Sequence, residues 1–283
     1  MTETHSSYRP TIKRRDLHFN QEPIPRYWLG GHVHRTRLFD AMSLFFPEGE
    51  RFFIESLRYY RDRVPADTQL ATDIRAFIGQ EAMHSREHRD YNQRLETQGI
   101  GATDLEAETV RNLNLARDKA SPAQQLAMTL CLEHFTAIMA HAVLSDDAVL
   151  AGAHPTMRQM WRWHALEETE HKAVAFDLYR HVFGSGLRAY LLRCWMMLSV
   201  SFYFTAHVWA YLIRIVRRDG HGSDWRGWRQ LLSFMFVTPG PFRRIIPAWA
   251  AWFKPGFHPW QHDNRQLLAQ TQAEYDSASA SAR

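Results

Sequence analysis

The chain has 283 residues, of which 45% are apolar and 13% aromatic, so it can bury a sizeable core and is not a disordered protein. No nucleic-acid-binding motif accompanies its mild basic excess, a formal charge of +4, so we expect no nucleic-acid partner. The two cysteines, Cys131 and Cys194, exclude a disulfide framework and favour a reducing cytoplasm. The polar first residues lack an apolar segment, so we expect no secretory signal.

Residues 1–34 are polar and lack a periodic pattern, so we expect an irregular N-terminal arm. A short helical stretch follows and meets Pro47. Because proline suits the first turn of a helix, the sequence predicts a new helix, or a kinked continuation of the preceding one, from Pro47 to Arg63. A longer helix is predicted from about Thr68 to Leu95, ending before two glycines.

Two further long helices are predicted in the next part of the chain. Ser121 is a good N-cap, Pro122 fits the first helical position, and Gln124 completes a capping-box pattern. The helix that begins there runs to about residue 144, and the next one runs from Pro155 to about Gly184. No apolar residues alternate with a period of two between turn signals, so strands are not expected.

The chain changes character after Gly184. Between Arg193 and Arg214 lie twenty mostly apolar residues, a length that matches a membrane crossing. Three alternatives stay open for this segment: packing against the core, an interfacial membrane anchor, or a membrane span. We assign residues 185–260 to an apolar helical extension and the polar residues 261–283 to a flexible tail. The arginines of the extension favour an anionic membrane surface or an acidic substrate as a partner.

Two copies of the motif Glu-x-x-His carry most of the chemical information. They are Glu81-x-x-His84 and Glu168-x-x-His171, and both lie on predicted helices. Residues three apart lie on one face of a helix, so each pair can bind one metal ion. One such motif is a weak signal, because many surface helices contain it by chance, but two copies in one chain are more specific.

A further glutamate precedes each motif at a similar distance, Glu50 in the first half and Glu133 in the second. The order Glu, then Glu-x-x-His, occurring twice, is the ligand set of ferritin-like dinuclear carboxylate bundles. Buried carboxylates would repel one another without cations between them, so a metal site explains them better than a packed core does. The sequence therefore predicts an all-α, ferritin-like four-helix bundle over residues 35–184, followed by the helical extension.

The donor set consists of carboxylates and imidazoles without cysteine, which suits iron or manganese better than a structural zinc site. We therefore predict two iron ions, with manganese or zinc as alternatives. The predicted metal ligands are Glu50, Glu81, His84, Glu133, His164, Glu168 and His171. The predicted catalytic residues are Glu50, Glu133 and Glu168. Glu50 and Glu133, or the motif glutamates, are expected to bridge the metals.

Two of these assignments have alternatives. Glu48 and Glu55 compete with Glu50 for the first ligand, but Glu48 would lie on another face and Glu55 more than a turn further along. His164 lies four residues before Glu168 and on the same helix face. It is therefore either a third histidine ligand or a histidine with an ordinary structural role.

Histidines that bind a metal usually donate their outer N–H group to a buried polar partner, so supporting residues can also be predicted. In a bundle with pseudo-twofold symmetry, Glu167 would reach one motif histidine and Gln80 the other. The four candidates for this supporting role are Gln80, His88, Glu167 and Asp177. His88 lies one turn beyond His84, so it can alternatively be a ligand or line a channel.

The segments that carry these residues resemble a known bacterial family. FPEGERFF, FIGQEAMHSREH, LEHFTA and HALEETEHKAVAFD are together similar to the family labelled "predicted metal-dependent hydrolase", over roughly residues 25–255. That resemblance implies hydrolysis. The ligand pattern itself resembles ferritin-like di-iron proteins, and the spacing His164-x-x-x-Glu168-x-x-His171 is similar to that of the arylamine N-oxygenases, which implies oxidation. The chain has no zincin or amidohydrolase motif.

The preferred prediction is a non-haem di-iron oxidase or oxygenase, which would use O₂ and an electron donor to act on a small apolar organic substrate. One alternative is a metal-dependent hydrolase in which the metals activate a water molecule. A non-enzymatic iron-binding protein is a third hypothesis. We expect a cytoplasmic protein whose apolar extension either covers the bundle as a lid or rests on a membrane, and a homodimer is left open.

Overall fold

The computed structural model describes residues 10–21 and 23–281, with side chains up to position 276. It confirms the all-α prediction: the described part of the chain consists of helices joined by turns, with an isolated antiparallel bridge between Leu29 and Ala153 and no strand. The first nine residues of the predicted arm and the last two residues of the predicted tail lie outside the described residues.

Seven α-helices of the described chain precede residue 185. They are α1 (Val33–Ser43), α2 (Phe46–Tyr60), α3 (Gln69–Thr97), α4 (Ala102–Lys119), α5 (Pro122–Ser145), α6 (Pro155–His171) and α7 (Val174–Phe183). The start of α5 has the predicted capping box: Ser121 Oγ accepts the Gln124 N–H (3.3 Å), and Gln124 Oε1 accepts the Ser121 N–H (2.8 Å). Thr68 caps α3 by accepting the Ala71 N–H (3.2 Å). These bonds satisfy backbone donors that would otherwise lack a helical partner.

Four helices close a ring around a common centre. α2 packs against α3 and α5, and α6 packs against the same two helices. This closed set of neighbours is what a four-helix bundle requires. Apolar side chains fill the ring on either side of its centre, among them the fully buried Phe77 and Trp163. Burying one large apolar side chain contributes about 1.5–3 kcal/mol, so these layers hold the ring together.

The C-terminal part of the described chain is also helical. Its helices are α8 (Leu187–Arg218), α9 (Trp225–Phe236), α10 (Pro241–Ala251) and α11 (Arg265–Ser281). α8 packs along α1 and α5, and α10 packs along α5 and α9. Arg193 ties α8 to the residues after α10, because its guanidinium donates to the carbonyls of Trp252 and Lys254. These helices cover one side of the ring, and the boundary near residue 185 stays a prediction.

Within the segment predicted as a flexible tail, residues 265–281 instead form α11, which packs against α6. Leu268, Thr271 and Tyr275 lie on one face of α11 and are buried. The prediction failed because these contacts with a distant part of the chain hold a segment whose other side chains are mostly polar. A polar helix of this length would be marginal in water without such contacts.

Two of the described helices, α5 and α8, are long and apolar enough to cross a membrane, judged by length and composition alone. They differ in burial: 72% of the most apolar 18-residue window of α5 is buried, against 28% of that of α8. α5 is therefore a core helix of the ring. α8 leaves much of its apolar surface uncovered, which is a weak indication of membrane association.

Candidate metal centre

The structure brings the seven predicted ligands together in the centre of the ring. α2 supplies one of them, α3 two, α5 one and α6 three, and none of the seven is more than 3% exposed. The three-residue spacing within each motif places its glutamate and histidine on one helix face. Because α3 and α6 are neighbours in the ring, the two motifs face each other across its centre.

His171 Nε2 faces carboxylates from three helices. It lies 3.2 Å from Glu81 Oε1, 3.4 Å from Glu133 Oε2 and 3.4 Å from Glu168 Oε2. Glu81, Glu168 and His171 each have a ligand atom within 4.8 Å of the others. One imidazole nitrogen among several carboxylate oxygens is a suitable position for a metal ion.

A second group of ligand atoms surrounds His164 Nε2. This nitrogen lies 2.9 Å from Glu168 Oε1 and 4.0 Å from Glu50 Oε1. His84 Nδ1 lies 3.7 Å from the same oxygen of Glu168. Glu168 therefore directs Oε1 toward this group and Oε2 toward His171 Nε2. Because each carboxylate oxygen can serve a different metal, Glu168 is placed between two candidate metal positions.

The two alternatives to Glu50 are directed away from this centre. Arg117 donates to Glu48 Oε1 (2.8 Å) and to Glu55 Oε2 (2.7 Å), and neither of these glutamates is buried. Glu50 is only 1% exposed, so α2 turns this side chain, and not its acidic neighbours, into the ring.

Each motif histidine has a hydrogen-bond partner at the ring nitrogen that faces away from the centre. The partner is a residue of the other motif's helix, directly before the motif glutamate. Glu167 Oε2 lies 3.1 Å from His84 Nε2, and Gln80 Oε1 lies 2.9 Å from His171 Nδ1. These are the two pairs expected from the pseudo-twofold symmetry of the bundle. The contacts fix the ring orientations and leave His84 Nδ1 and His171 Nε2 facing the carboxylates.

His88 lies behind His164. The two rings are joined through His88 Nε2 and His164 Nδ1 (2.7 Å), and His88 Nδ1 lies 2.8 Å from Ser43 Oγ. Ser43 Oγ donates to Asn92 Oδ1 (2.7 Å), so Ser43 accepts the proton of His88 Nδ1. His88 Nε2 must then accept from His164 Nδ1, which leaves the lone pair of His164 Nε2 directed at the carboxylates. This chain continues from Asn92 Nδ2 to the half-buried Glu106 (2.7 Å) on α4.

Asp177 does not take the supporting role predicted for it. The helix predicted from Pro155 to Gly184 ends at His171, and a two-residue turn separates it from α7, which carries Asp177. Asp177 Oδ1 lies 3.0 Å from His258 Nε2, and the outer nitrogen of His171 is already engaged by Gln80. Even on an unbroken helix Asp177, nine residues after Glu168, would lie about half a turn away from the face that carries the ligands, so the helix geometry does not favour the role predicted for it.

Two further residues connect the supporting side chains, and the sequence analysis did not identify either of them. Arg15, in the predicted arm, is only 7% exposed, and its guanidinium donates to Glu170 Oε1 (2.7 Å) and to Glu167 Oε1 (3.3 Å). Gln80 Nε2 donates to Glu170 Oε2 (2.7 Å). Arg15 and Glu170 thereby join the two residues that orient the motif histidines. No local pattern marks this link, because its partners are 155 positions apart in the chain.

Burial and mutual repulsion change the proton affinities of the carboxylates. Burial, followed by the charges of Glu168 and Glu133, raises the pKa of Glu50 well above its ordinary value. Burial and the charge of Glu168 raise the pKa of Glu133 to about 7. For Glu168 burial also opposes ionisation, but the neighbouring histidines outweigh it and hold the pKa well below the ordinary value. Cations at the centre would relieve the repulsion between these groups.

The converging side chains also lack other partners. Among the described residues, buried atoms without a hydrogen-bond partner include both carboxylate oxygens of Glu50, Glu81 and Glu133, Oε2 of Glu168, Nδ1 of His84 and Nε2 of His171. An unpaired buried polar group costs about 1–3 kcal/mol, and more when it is charged. Such a concentration of unpaired atoms at one point fits bound cations, so the residues present fit a metal site.

A cavity reaches this site from the side of α1 and α5. It contains about 400 Å³ of empty space, including the part that is open to solvent. Two of the candidate ligands, His164 and Glu168, line it. The buried site therefore borders a cavity that is partly open to solvent.

The model of one protein family matches residues 13–263, which is almost the whole chain, and the family is described as "predicted metal-dependent hydrolase". The matched range includes all seven converging ligands as well as Arg15. No curated protein and no solved structure matches the chain. The likeness to ferritin-like di-iron proteins therefore stays a prediction from the ligand pattern. The family is shown by the extent of the match: the chain belongs to the predicted metal-dependent hydrolases.

Proposed function

We propose that the protein is a non-haem di-iron enzyme that uses O₂ to oxidise an apolar organic substrate. The observation that carries this proposal is the cluster of buried carboxylate and imidazole atoms without other partners. Oxygen and nitrogen donors without a thiolate suit iron or manganese, and the repeated Glu and Glu-x-x-His order is typical of dinuclear carboxylate bundles.

The seven ligands would divide between two metals. The first group would be His171 and Glu133. The second group would be Glu50, His84 and His164. Glu81 and Glu168 lie between the two groups. Glu81 and Glu168 are the candidates for bridging, because each has an oxygen close to both groups. Gln80, Glu167 and His88 would keep the three imidazole rings oriented toward the metals.

A pair of iron ions supplies the ability to reduce O₂ in two-electron steps. Insertion of one oxygen atom into a C–H bond consumes one O₂, two electrons and two protons and releases one water, so an external electron donor is required. The hydrogen-bonded chain from His164 through His88 and Ser43 to Asn92 would hold the His164 ring with Nε2 directed at the metals. The apolar wall of the cavity would exclude bulk water while the substrate is bound.

The family description favours a second candidate function, a metal-dependent hydrolase. In that reaction the metals would lower the pKa of a water molecule that attacks an ester or amide, and no electron donor is needed. The same seven residues would hold the metals, so the ligand set alone does not separate the two reactions. The description supports hydrolysis, whereas no matched relative supports oxidation.

Metal content and the response to O₂ separate the two functions. The purified protein is analysed for iron, manganese and zinc, then reduced without air and mixed with O₂ while O₂ consumption and absorbance are followed. Two irons per chain and O₂ consumption that is lost in Glu168→Ala support oxidation. Two zincs per chain, no response to O₂ and an esterase activity that is lost in Glu168→Ala support hydrolysis. Bound iron without either activity supports the third hypothesis, a non-enzymatic iron-binding protein.

A further inference from the structure

We propose that a groove between α1 and α5 binds an unbranched alkyl or acyl chain of the substrate, with the reacting end of the molecule at His164 and Glu168. The inference rests on the proposed function, because it takes the metal centre as the place of reaction. It goes beyond that function by naming the class of substrate and the residues that select it.

The inner half of this groove is the cavity that reaches the ligands. Its polar lining consists of Thr136, His164, Glu168 and the indole N–H of Trp161, which has no hydrogen-bond partner among the described residues, and the other side chains around it are apolar. The hydroxyl of Thr136 already donates to the carbonyl of Glu133 (3.0 Å). Groups that can interact with a polar part of the substrate are therefore confined to the end of the cavity beside the metal centre.

The outer half is a second cavity of about 370 Å³, again including the part that is open to solvent. Apolar side chains alone line it, with Phe234 of α9 and Phe242 and Ile245 of α10 at the end remote from the ligands. Both cavities are lined by Met139 and Val143 of α5 and by two residues of α1. The two cavities therefore adjoin along α5, and the proposed chain would occupy both as the two halves of the groove.

The shape and lining of the groove indicate the kind of molecule that fits it. Along α5 its wall extends from Thr136 to Val143, which is about 10 Å at the rise of a helix. A sugar or peptide would lose its hydrogen bonds to water along that length and find no replacements. An alkyl chain has none to lose, and it gains from every methylene that it buries.

The test is the affinity of a series of straight-chain alkanoates of increasing length, measured by displacement of an apolar fluorescent dye from metal-free and from metal-loaded protein. We expect affinity to rise about fourfold for each added methylene until the groove is full. This factor follows from the free energy of transferring one methylene from water to an apolar environment. Affinity that does not change with chain length would overturn the inference.

Val143→Trp should fill the groove where its two halves meet, and should weaken binding of the longer chains at least tenfold. Val110→Trp is the matched control, because Val110 is partly exposed on α4 and lines neither cavity. Equal affinity of both variants for long chains would contradict the proposal. Met139→Trp serves as a second variant if Val143→Trp does not fold, as judged by its melting temperature.

Binding is measured without turnover, so the two proposals can fail separately. Suppose that the protein binds alkanoates, that Val143→Trp blocks this binding, and that the protein has neither oxidase nor hydrolase activity. That result refutes the proposed function but not the substrate assignment. Suppose instead that the protein is catalytically active, but that its affinity for alkanoates depends neither on their length nor on Val143→Trp. That result refutes the substrate assignment but not the proposed function.

A different observation supports a second inference: we infer that an exposed apolar stripe on α8 rests on an anionic membrane surface. The stripe consists of Leu187 (71% exposed), Leu191 (54%), Trp195 (64%), Leu198 (49%) and Phe202 (70%). Successive members are three or four positions apart, so they lie on one face of the helix. A contiguous apolar face of this kind is unusual on the surface of a soluble monomer.

The charges around the stripe indicate which partner covers it. The sequence contains no Asp or Glu between Asp177 and Asp219, and the exposed Arg188 and Lys254 lie near the start of α8. Each cation near an anionic membrane surface strengthens binding about fivefold. Two copies of the chain meeting through this face would instead bring like charges together.

The opposite face of α8 shows that the helix would lie along the membrane and not cross it. Met197 and Val200 are buried against the protein, and Arg193 donates to the carbonyl of Lys254 (2.7 Å). A span would expose these groups to lipid, whereas an interfacial position keeps them covered and buries only the stripe.

Sedimentation with vesicles tests this second inference. The full-length protein should bind vesicles of phosphatidylcholine and phosphatidylglycerol at low salt, and bind pure phosphatidylcholine vesicles much more weakly. Leu191→Glu and Phe202→Glu should each reduce binding at least tenfold, whereas Leu115→Glu, at an exposed leucine of α4, should not. No binding to anionic vesicles would refute the inference. A dimer in solution that Leu191→Glu dissociates would assign the stripe to self-association instead.

Discussion

Glu133 illustrates how burial and a neighbouring carboxylate change the proton affinity of a glutamate. Burial and the charge of Glu168 raise its pKa to about 7 in the folded protein, from an ordinary value of 4.5. A raised pKa means that the folded state binds more protons than the unfolded state does. Any stability that depends on the neutral form of Glu133 is therefore complete below about pH 4.5 and is lost as the pH rises to about 7.

Glu133→Gln should remove this pH-dependent term from the metal-free protein. At pH values below about 4.5 the variant and the wild type should be equally stable, and the variant should become the more stable of the two as the pH approaches 7. Urea unfolding in the presence of a chelator at several pH values measures the difference. Adding metal should reverse the order, because the amide is a poorer ligand. A stability difference that is the same at every pH would contradict the prediction.

His164 is the residue that distinguishes a seven-ligand site from a six-ligand site. If its Nε2 binds a metal, His164→Ala should reduce metal affinity at least tenfold. Loss of a residue that only supports a ligand already reduces metal affinity by about 10–100-fold, so loss of a ligand should have no smaller effect. The control is His181→Ala, since His181 is exposed on α7 and contacts the carbonyl of Arg63. Metal titration of both variants gives the result. Unchanged metal stoichiometry and affinity in His164→Ala would return His164 to an ordinary structural role.

The N-terminal arm reaches the metal centre through one side chain. Arg15 lies against Glu167 and Glu170, and all three side chains are buried. Its pKa is raised, since these carboxylates outweigh the burial that would lower it. Removing one partner of a buried ion pair typically costs about 3–5 kcal/mol, because the other charge stays buried without compensation.

Arg15→Ala should therefore destabilise the protein by a few kcal/mol and also weaken metal binding by about 10–100-fold, since Glu167 and Gln80 would no longer be fixed. Arg14→Ala is the matched control, because the neighbouring arginine is 54% exposed and contacts only Asp16 among the ion pairs described. Thermal unfolding and metal titration are both needed. A loss of stability with unchanged metal affinity would show that the arm supports the fold but not the ligands.

The features that could be predicted from the sequence are those that depend on neighbours within one helix. The spacing within Glu81-x-x-His84 and the capping box at Ser121 are local, so helix geometry alone leads to them. The partners of Arg15 are more than 150 positions away, and α11 is held by contacts with α6, so no local pattern contains either. Asp177 lacks such a spacing: nine residues after Glu168, it falls about half a turn away from the ligand face of a helix, so local geometry gave no support for its predicted role.

The proposed substrate groove and the proposed membrane face belong to neighbouring helices. Phe242 and Ile245, at the outer end of the groove, lie on α10. α10 is joined to α8 by a hydrogen bond from Trp249 Nε1 to Ser201 Oγ (3.0 Å), one residue before the last member of the apolar stripe. The outer end of the proposed groove and the proposed membrane face therefore lie on helices that touch, as a path for an apolar substrate from a membrane to the metal centre would require.

Removal of the metal should loosen the protein without unfolding it. The apolar layers on either side of the ligands include residues from every ring helix, so the ring keeps most of its buried surface when the centre is empty. Two metals, each present at a hundred times its dissociation constant, together stabilise the folded state by about 5.4 kcal/mol, which corresponds to a shift in melting temperature of about 10 °C for a chain of this size. We therefore expect chelation to lower the melting temperature by that amount while the far-ultraviolet circular dichroism at 20 °C stays unchanged. Loss of the helical signal on chelation would mean that the carboxylate repulsion at the centre outweighs the packing around it.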